Sequence, residues 1–242
     1  MKSAALTANE DARLQALADY KLLDTDAEDI YDDVTRMASE ICRTPISLIS
    51  LVDADRQWFK SKHGLKANGT PREQSFCAHA ILNPNEIFIV QDARLDDRFA
   101  DNPLTTGAPN VVFYAGVPLT DAEGHSLGSL CVIDSRPRTL TDNQLLALKS
   151  LARLVNTHFE LRKVKTERDN YQREITLATT ARRTLLRFMA YRVRPLVDPL
   201  LNDIQTLTDN APRPDQVGPL QSLRQTGATI KGMLEDPELF KI

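Results

Sequence analysis

The stretch Val111–Asp134, VVFYAGVPLTDAEGHSLGSLCVID, decides the fold. Two apolar runs, Val111–Leu119 and Ser126–Asp134, flank a tight turn at Asp121–Gly124, and they read as adjacent strands. Gly116 and Gly128 lie inside these runs, where glycine marks a bulge or a close backbone approach. Upstream, Ile46–Val52 reads as a buried strand ending at the turn Asp53-Ala54-Asp55. Arg56–Lys62 alternates as its hairpin partner and continues to Gly64, Ser75–Leu82 reads as a short helix, and Ile87–Val90 as another strand.

Helices bracket this strand region. Leu14, Leu17, Leu22 and Leu23 follow Asn9-Glu10-Asp11. A second helix is expected over Asp26–Cys42, with Ile30, Val34, Met37, Ala38 and Ile41 at helical spacing and Asp24 or Thr25 as its cap. After the strands, Thr141 to Gln144 offers a capping-box start. No glycine or proline interrupts the next fifty residues. Leu148, Leu151, Val155 and Phe159 form a stripe suited to lie on the sheet. A second, three-four alternating stripe from Leu154 to Met189 is broken by Arg168 and Arg182, which makes it a weak coiled-coil seam. Asn210–Pro219 reads as a loop, and Leu220–Leu234 as a last helix antiparallel to the one before it.

Composition limits the function classes. The 242 residues are 42% hydrophobic and 26% charged, with a net charge of −3 and 6% aromatics. That balance lacks the basic footprint and the stacking platforms of nucleic-acid binders. No apolar run is long enough for a membrane span, and the amino terminus lacks a signal-peptide core, so a cytoplasmic location is expected. Cys42, Cys77 and Cys131 are odd in number and scattered, with no CxxC pair, which suits a reducing compartment and supports no structural metal site.

Residues 8–161 resemble the GAF domains of bacterial sensor histidine kinases and diguanylate cyclases. The resemblance is carried by ALADYKLLDT (16–25), ISLVDADRQWFKSKHGL (49–65), PREQSFCAHAI (71–81), QDARLDDRFADNP (91–103), FYAGVPL (113–119) and GSLCVIDSRPR (128–138). It implies an α+β fold: a six-stranded antiparallel sheet with the terminal helices on one face and a ligand pocket on the other. Trp58, Phe76, Cys77, His79, Phe113 and Tyr114 are the candidate pocket residues for an unidentified small molecule; no cofactor is expected. Arg98 and Asp92 are expected to pair beside the pocket wall. The cysteine context of methionine sulfoxide reductases, the Cys-His dipeptide of bilin attachment and the Asn-Lys-Phe-Asp-Glu signature of cyclic-nucleotide binders are absent. The acid-rich loop Asp92–Asp101 is neutralised by Arg94 and Arg98 and lacks EF-hand spacing.

The tail has its own resemblance. Residues 162–184 would be a coiled-coil signalling helix. Residues 185–242 resemble the dimerisation and phosphoacceptor hairpin of histidine kinases, through FMAYRVRPLVDPLLNDI (188–204) and the ending MLEDPELFKI. The slot of the phosphorylated histidine holds Arg194, and Pro195 stands where an acid is usual. A guanidinium cannot accept phosphate in that way, so the resemblance implies a degenerate hairpin that dimerises into a four-helix bundle. Leu196, Leu200, Ile204 and Leu207 fit one inner face, and Leu220, Leu223, Ile230 and Leu234 the other. The chain is thus expected to be a homodimeric sensor without enzyme activity that binds a response regulator or a histidine kinase, with no nucleic acid or membrane partner. Two alternatives stay open: the front of a longer histidine kinase, and a structural adaptor with no ligand.

Overall fold

A computed structural model describes residues 1–235. They fall into two compact units, Met1–Thr166 and Glu167–Ile242, the second followed here to Glu235. The closing segment from Asp236, including most of the MLEDPELFKI ending, lies outside the described residues.

The first unit is an α+β domain around one six-stranded antiparallel sheet. Helices α1 (Glu10–Asp19) and α2 (Asp29–Cys42) precede strands β1 (Ile46–Val52), β2 (Arg56–His63) and β3 (Gly69–Pro71). Then come the short helix α3 (Phe76–Ala80), β4 (Phe88–Val90), one helical turn α4 (Pro103–Thr106), β5 (Phe113–Thr120) and β6 (Ser126–Asp134). The strand order is β3-β2-β1-β6-β5-β4. Central β1 and β6 are buried along their whole length, which is why both read as near-continuous apolar runs with bounds that match the sequence expectation.

Alternation on the strands sorts the core into two layers. Ile49 and Leu51 of β1, Phe113 and Ala115 of β5, and Leu130 and Val132 of β6 pack with Leu17 of α1 and Val34 and Ala38 of α2. They also meet Leu148, Val155 and Phe159 of α5, the long helix Asp142–Phe188. The predicted stripe on α5 therefore does lie on the sheet. Leu48, Val52, Phe59, Tyr114, Cys131 and Ile133 point to the opposite face, under α3 and the loops around α4. The α5 start is a capping box, with Gln144 N–H on Thr141 Oγ1 at 3.3 Å and Thr141 N–H on Gln144 Oε1 at 3.0 Å.

Three expectations are corrected. Helix α2 begins at Asp29 rather than Asp26, and neither Asp24 nor Thr25 caps it. Buried Lys60 takes this approach segment for itself: its Nζ bonds Thr25 Oγ1 at 2.8 Å, Asp26 O at 2.7 Å and Glu28 Oε1 at 2.7 Å. Arg98 pairs with Asp96, and Asp92 with Arg94; each arginine folds back on the acid two residues before it instead of spanning the loop. The expected loop 210–219 is much shorter, because α7 (Pro214–Glu235) already starts at Pro214. A proline in the first turn forfeits no intrahelical bond, and only Pro219, in the second turn, costs one.

In the second unit α5 continues through a π-helical turn, Met189–Val193, into α6 (Arg194–Asp209). The widened turn ends two residues before Pro195, whose ring has no N–H for the carbonyl one turn back and would collide with it in a regular helix. Arg194 is exposed at the start of α6. Helices α6 and α7 pair through a narrow seam. Val197 and Ile204 are buried on α6 and Leu234 on α7, and Gly227 admits Leu201 so closely that a Cβ there would meet its Cδ2 at 2.7 Å. Of the face expected on α6 only Ile204 is buried; Leu196, Leu200 and Leu207 stay exposed, as do Leu223 and Ile230 on α7.

Candidate functional site

The structure separates the six candidate pocket residues. Phe113 is fully buried on the helical side of the sheet, and Trp58 packs against that same layer. Trp58 lines a polar cleft of about 410 Å³ with Asp24, Asp32 and Lys60. Its charged groups already have partners: Lys60 has Glu28, Asp24 has Arg56, Asp32 has the Ser61 hydroxyl, and Lys62 has Lys66 O and Asn68 Oδ1. Phe76, Cys77, His79 and Tyr114 do come together, on the other face. They form a filled core, with Phe76 stacked on Phe99 at 3.9 Å between ring centroids and on Tyr114 at 5.4 Å. His79 covers the edge of Phe99, and one ring nitrogen lies 3.1 Å from Lys2 O. Burial pulls its pKa below the usual histidine value.

Beneath that aromatic group sits a buried polar layer. Tyr114 donates its hydroxyl to Cys77 Sγ at 3.3 Å and lies 3.1 Å from Ser129 Oγ, while Cys77 and Cys131 bring their sulfurs to 4.0 Å. Gly116, two residues along the same strand face, leaves room for this phenol: a Cβ there would stand 2.3 Å from Tyr114 Oη. Burial first, and the neighbouring thiols second, push Tyr114 well above the usual phenol range; burial and Cys77 do the same to the Cys131 thiol. Cys42, alone among apolar side chains, is pushed up to about 11 by burial. All three thiols are buried. Iodoacetamide at neutral pH should therefore label none of them in the folded protein within the time that labels all three in guanidinium chloride. Rapid native labelling, read by mass spectrometry, would contradict this packing.

The open site on this face lies beside the aromatic core rather than inside it. A groove of about 430 Å³ runs between the sheet and the loops, walled by Leu48, Phe59, Leu65, Leu104, Val111 and Ile133, with Ala67 and Lys66 at its rim. Its polar floor is Gln57 of β2, whose carbonyl Oε1 accepts from Ser75 Oγ and, at 3.3 Å, from Ser50 Oγ. Ser75 also caps α3 by accepting Ala78 N–H at 3.0 Å. None of the six candidates lines this groove. Its walls come from five separate segments, and only the alternating placement of Gln57 and Phe59 on one face of β2 hints at it in the sequence.

Among the described residues, one group could hold a metal ion: Asp121, Glu123 and His125, with ligand atoms within 4.8 Å of one another in the β5–β6 turn. Asp121 already serves the turn, accepting from Glu123 N, His125 N and His125 Nδ1. No helix among the described residues is long and apolar enough to cross a membrane.

The chain belongs to the GAF domain family, whose model matches residues 26–159, more than half of its length. It is a signalling protein built on a sensory domain of that family. It is 45% identical over 148 residues to a protein of Pseudomonas aeruginosa named cyclic di-GMP phosphodiesterase PA2567; the match takes 61% of this chain and 25% of the relative. The chain thus spans about a quarter of that relative's length. The expectation of a protein class without enzyme activity is overturned by this relative, whose name is that of an enzyme. Among solved structures, the chain resembles the GAF domain of an Acinetobacter phosphoenolpyruvate-protein phosphotransferase at 14% identity and a TM-score of 0.47, covering 64% of this chain and 96% of that one. It also resembles the free methionine-R-sulfoxide reductase of Neisseria meningitidis at 16% identity and a TM-score of 0.46, covering 69% and 99%.

Proposed function

We propose that the GAF unit senses a small molecule in the groove of β1, β2 and α4 and regulates the turnover of cyclic di-GMP, the substrate for which the Pseudomonas relative is named. The observation that carries the sensory part is the groove itself: a concave, largely apolar site with one positioned polar floor residue, which is the form small-molecule sites take. In this reading α5 carries occupancy toward the α6–α7 hairpin in a cytoplasmic homodimer. The apolar positions left exposed support a second copy: Leu161, Val164, Tyr171, Ile175 and Leu185 on α5, then Leu196, Leu200, Leu223 and Ile230 on the hairpin. A response regulator or a histidine kinase remains a candidate partner for the same hairpin, with Arg194 filling the phosphoacceptor slot without accepting phosphate.

The test measures cellular cyclic di-GMP on expression of the full chain and of Ala67→Trp, which fills the groove mouth from an exposed loop. A change of several-fold with the parent chain, lost or locked in the variant, is expected. Equal levels with and without the chain would remove the cyclic di-GMP reading. Light scattering at half the mass expected for two 27.1 kDa chains would remove the dimer.

A further inference from the structure

The orientation of one amide narrows what the groove can take. Ser75 Oγ receives the Ala78 N–H at 3.0 Å and gives its own proton to Gln57 Oε1. Ser50 Oγ reaches the same oxygen at 3.3 Å. A carbonyl oxygen has two lone pairs, and both are taken. The amide is therefore held with its oxygen toward the serines and its NH₂ free, and among the described residues nothing accepts from Gln57 Nε2. Gln57 is only 4% exposed and lines the groove, so its NH₂ finds an acceptor in the groove, from water or from an occupant that displaces it.

Charge points the same way. No acid lines the groove, and Lys66 at its rim is the one charged lining residue. Its ammonium has no carboxylate partner among the described residues. The floor thus offers a donor, the rim a cation, and the walls apolar surface. At about 430 Å³ the space is at the lower end of the roughly 300–1,000 Å³ typical of ligand pockets.

The geometry points to a small apolar carboxylic acid, bound in its ionised form, as the ligand class of this groove. The inference rests on the sensory reading above and adds the chemistry of the occupant. An amine is disfavoured by Lys66 and by the lack of any free acceptor on Gln57. A hydrocarbon without an acceptor leaves the buried NH₂ unpaired, a loss specific sites discriminate against strongly.

The test uses octanoate and octylamine as probes, with binding to the full chain read by calorimetry and by melting temperature. Octanoate should bind and raise the melting temperature, and octylamine should not. Gln57→Glu keeps an oxygen acceptor for both serines but replaces the NH₂ donor by a second oxygen, so octanoate affinity should fall at least tenfold. Lys66→Glu, on the exposed rim, should weaken octanoate by a similar factor and serves where Gln57→Glu folds poorly. Octylamine binding as well as octanoate, or an unchanged octanoate affinity in Lys66→Glu, would overturn the carboxylate assignment while leaving a working groove. If neither probe binds, and Ala67→Trp behaves as the parent in cells, the groove reading falls with it.

Discussion

Gly128→Ala should cost about 4 kcal/mol of stability and lower the melting temperature of the first unit by about 10 °C. The reason is the closeness of the two central strands. Leu51 is paired directly with Gly128, and a Cβ on Gly128 would stand 1.9 Å from Ser50 O and 2.8 Å from Leu51 Cα. Both obstacles are backbone, so no side-chain rotation relieves them, and the β1–β6 ladder itself must part. The control is Gly232→Ala on α7, where an added Cβ meets nothing within 4 Å. That change should be neutral or stabilising by a fraction of a kcal/mol, since alanine is the better helix former. Calorimetry of both variants decides the matter, and a Gly128→Ala protein melting within about 2 °C of the parent would refute the close approach.

Arg13→Met should cost about 2–3 kcal/mol, because it leaves Val52 O without its buried donor and takes from Glu10 one of its two guanidinium partners. Arg13 is 1% exposed although it sits on a surface helix. Its guanidinium donates to Val52 O at 2.7 Å and pairs with Glu10, which also receives Arg72 at 2.7 Å. Burial alone would raise the Glu10 carboxyl, but hydrogen bonds from Arg13, Arg72 and Thr7 outweigh it and hold the pKa well below the usual glutamate range. A carboxyl depressed in the folded state contributes its full stability above its unfolded value of about 4.3, and loses it as pH falls through the folded one. The parent should therefore weaken steeply in acid below about pH 4, and Glu10→Gln should flatten that limb while lowering stability at neutral pH. Urea midpoints at neutral and acid pH measure both, and parallel acid limbs in parent and Glu10→Gln would contradict the assignment.

The layered fold was legible because its central elements carry strong, local signals. Strands β1 and β6 are buried on both faces and read as apolar runs; α5 announces itself by its capping box and by the stripe from Leu148 to Phe159. Strand β3 was not legible, since three residues, Gly69–Pro71, are too few to show a period. Arg13 and Lys60 look like solvated charges in a linear reading, and only the tertiary fold brings Val52 O to one and Glu28 to the other. Of the six candidate residues, Phe76, Cys77, His79 and Tyr114 meet on the face of the sheet that carries the groove, and Trp58 and Phe113 lie on the helical side. Aromatic side chains were the natural guess for pocket walls, yet Phe76 and Tyr114 close on Phe99 and fill their own space. The groove is made instead by aliphatic positions far apart in the chain, around a glutamine whose role depends on two serines in other elements.

The π turn at Met189–Val193 adds a residue to one loop of an otherwise continuous helix. At 3.6 residues per turn each residue advances the helix by about 100°, so everything downstream is rotated by that angle against an uninterrupted count. One heptad frame cannot describe both sides of Met189, and Leu185 and Leu196 belong to stripes of different phase. Within the second unit, the apolar stripe on the last turns of α5 and the one on α6 therefore face different sides of one helix.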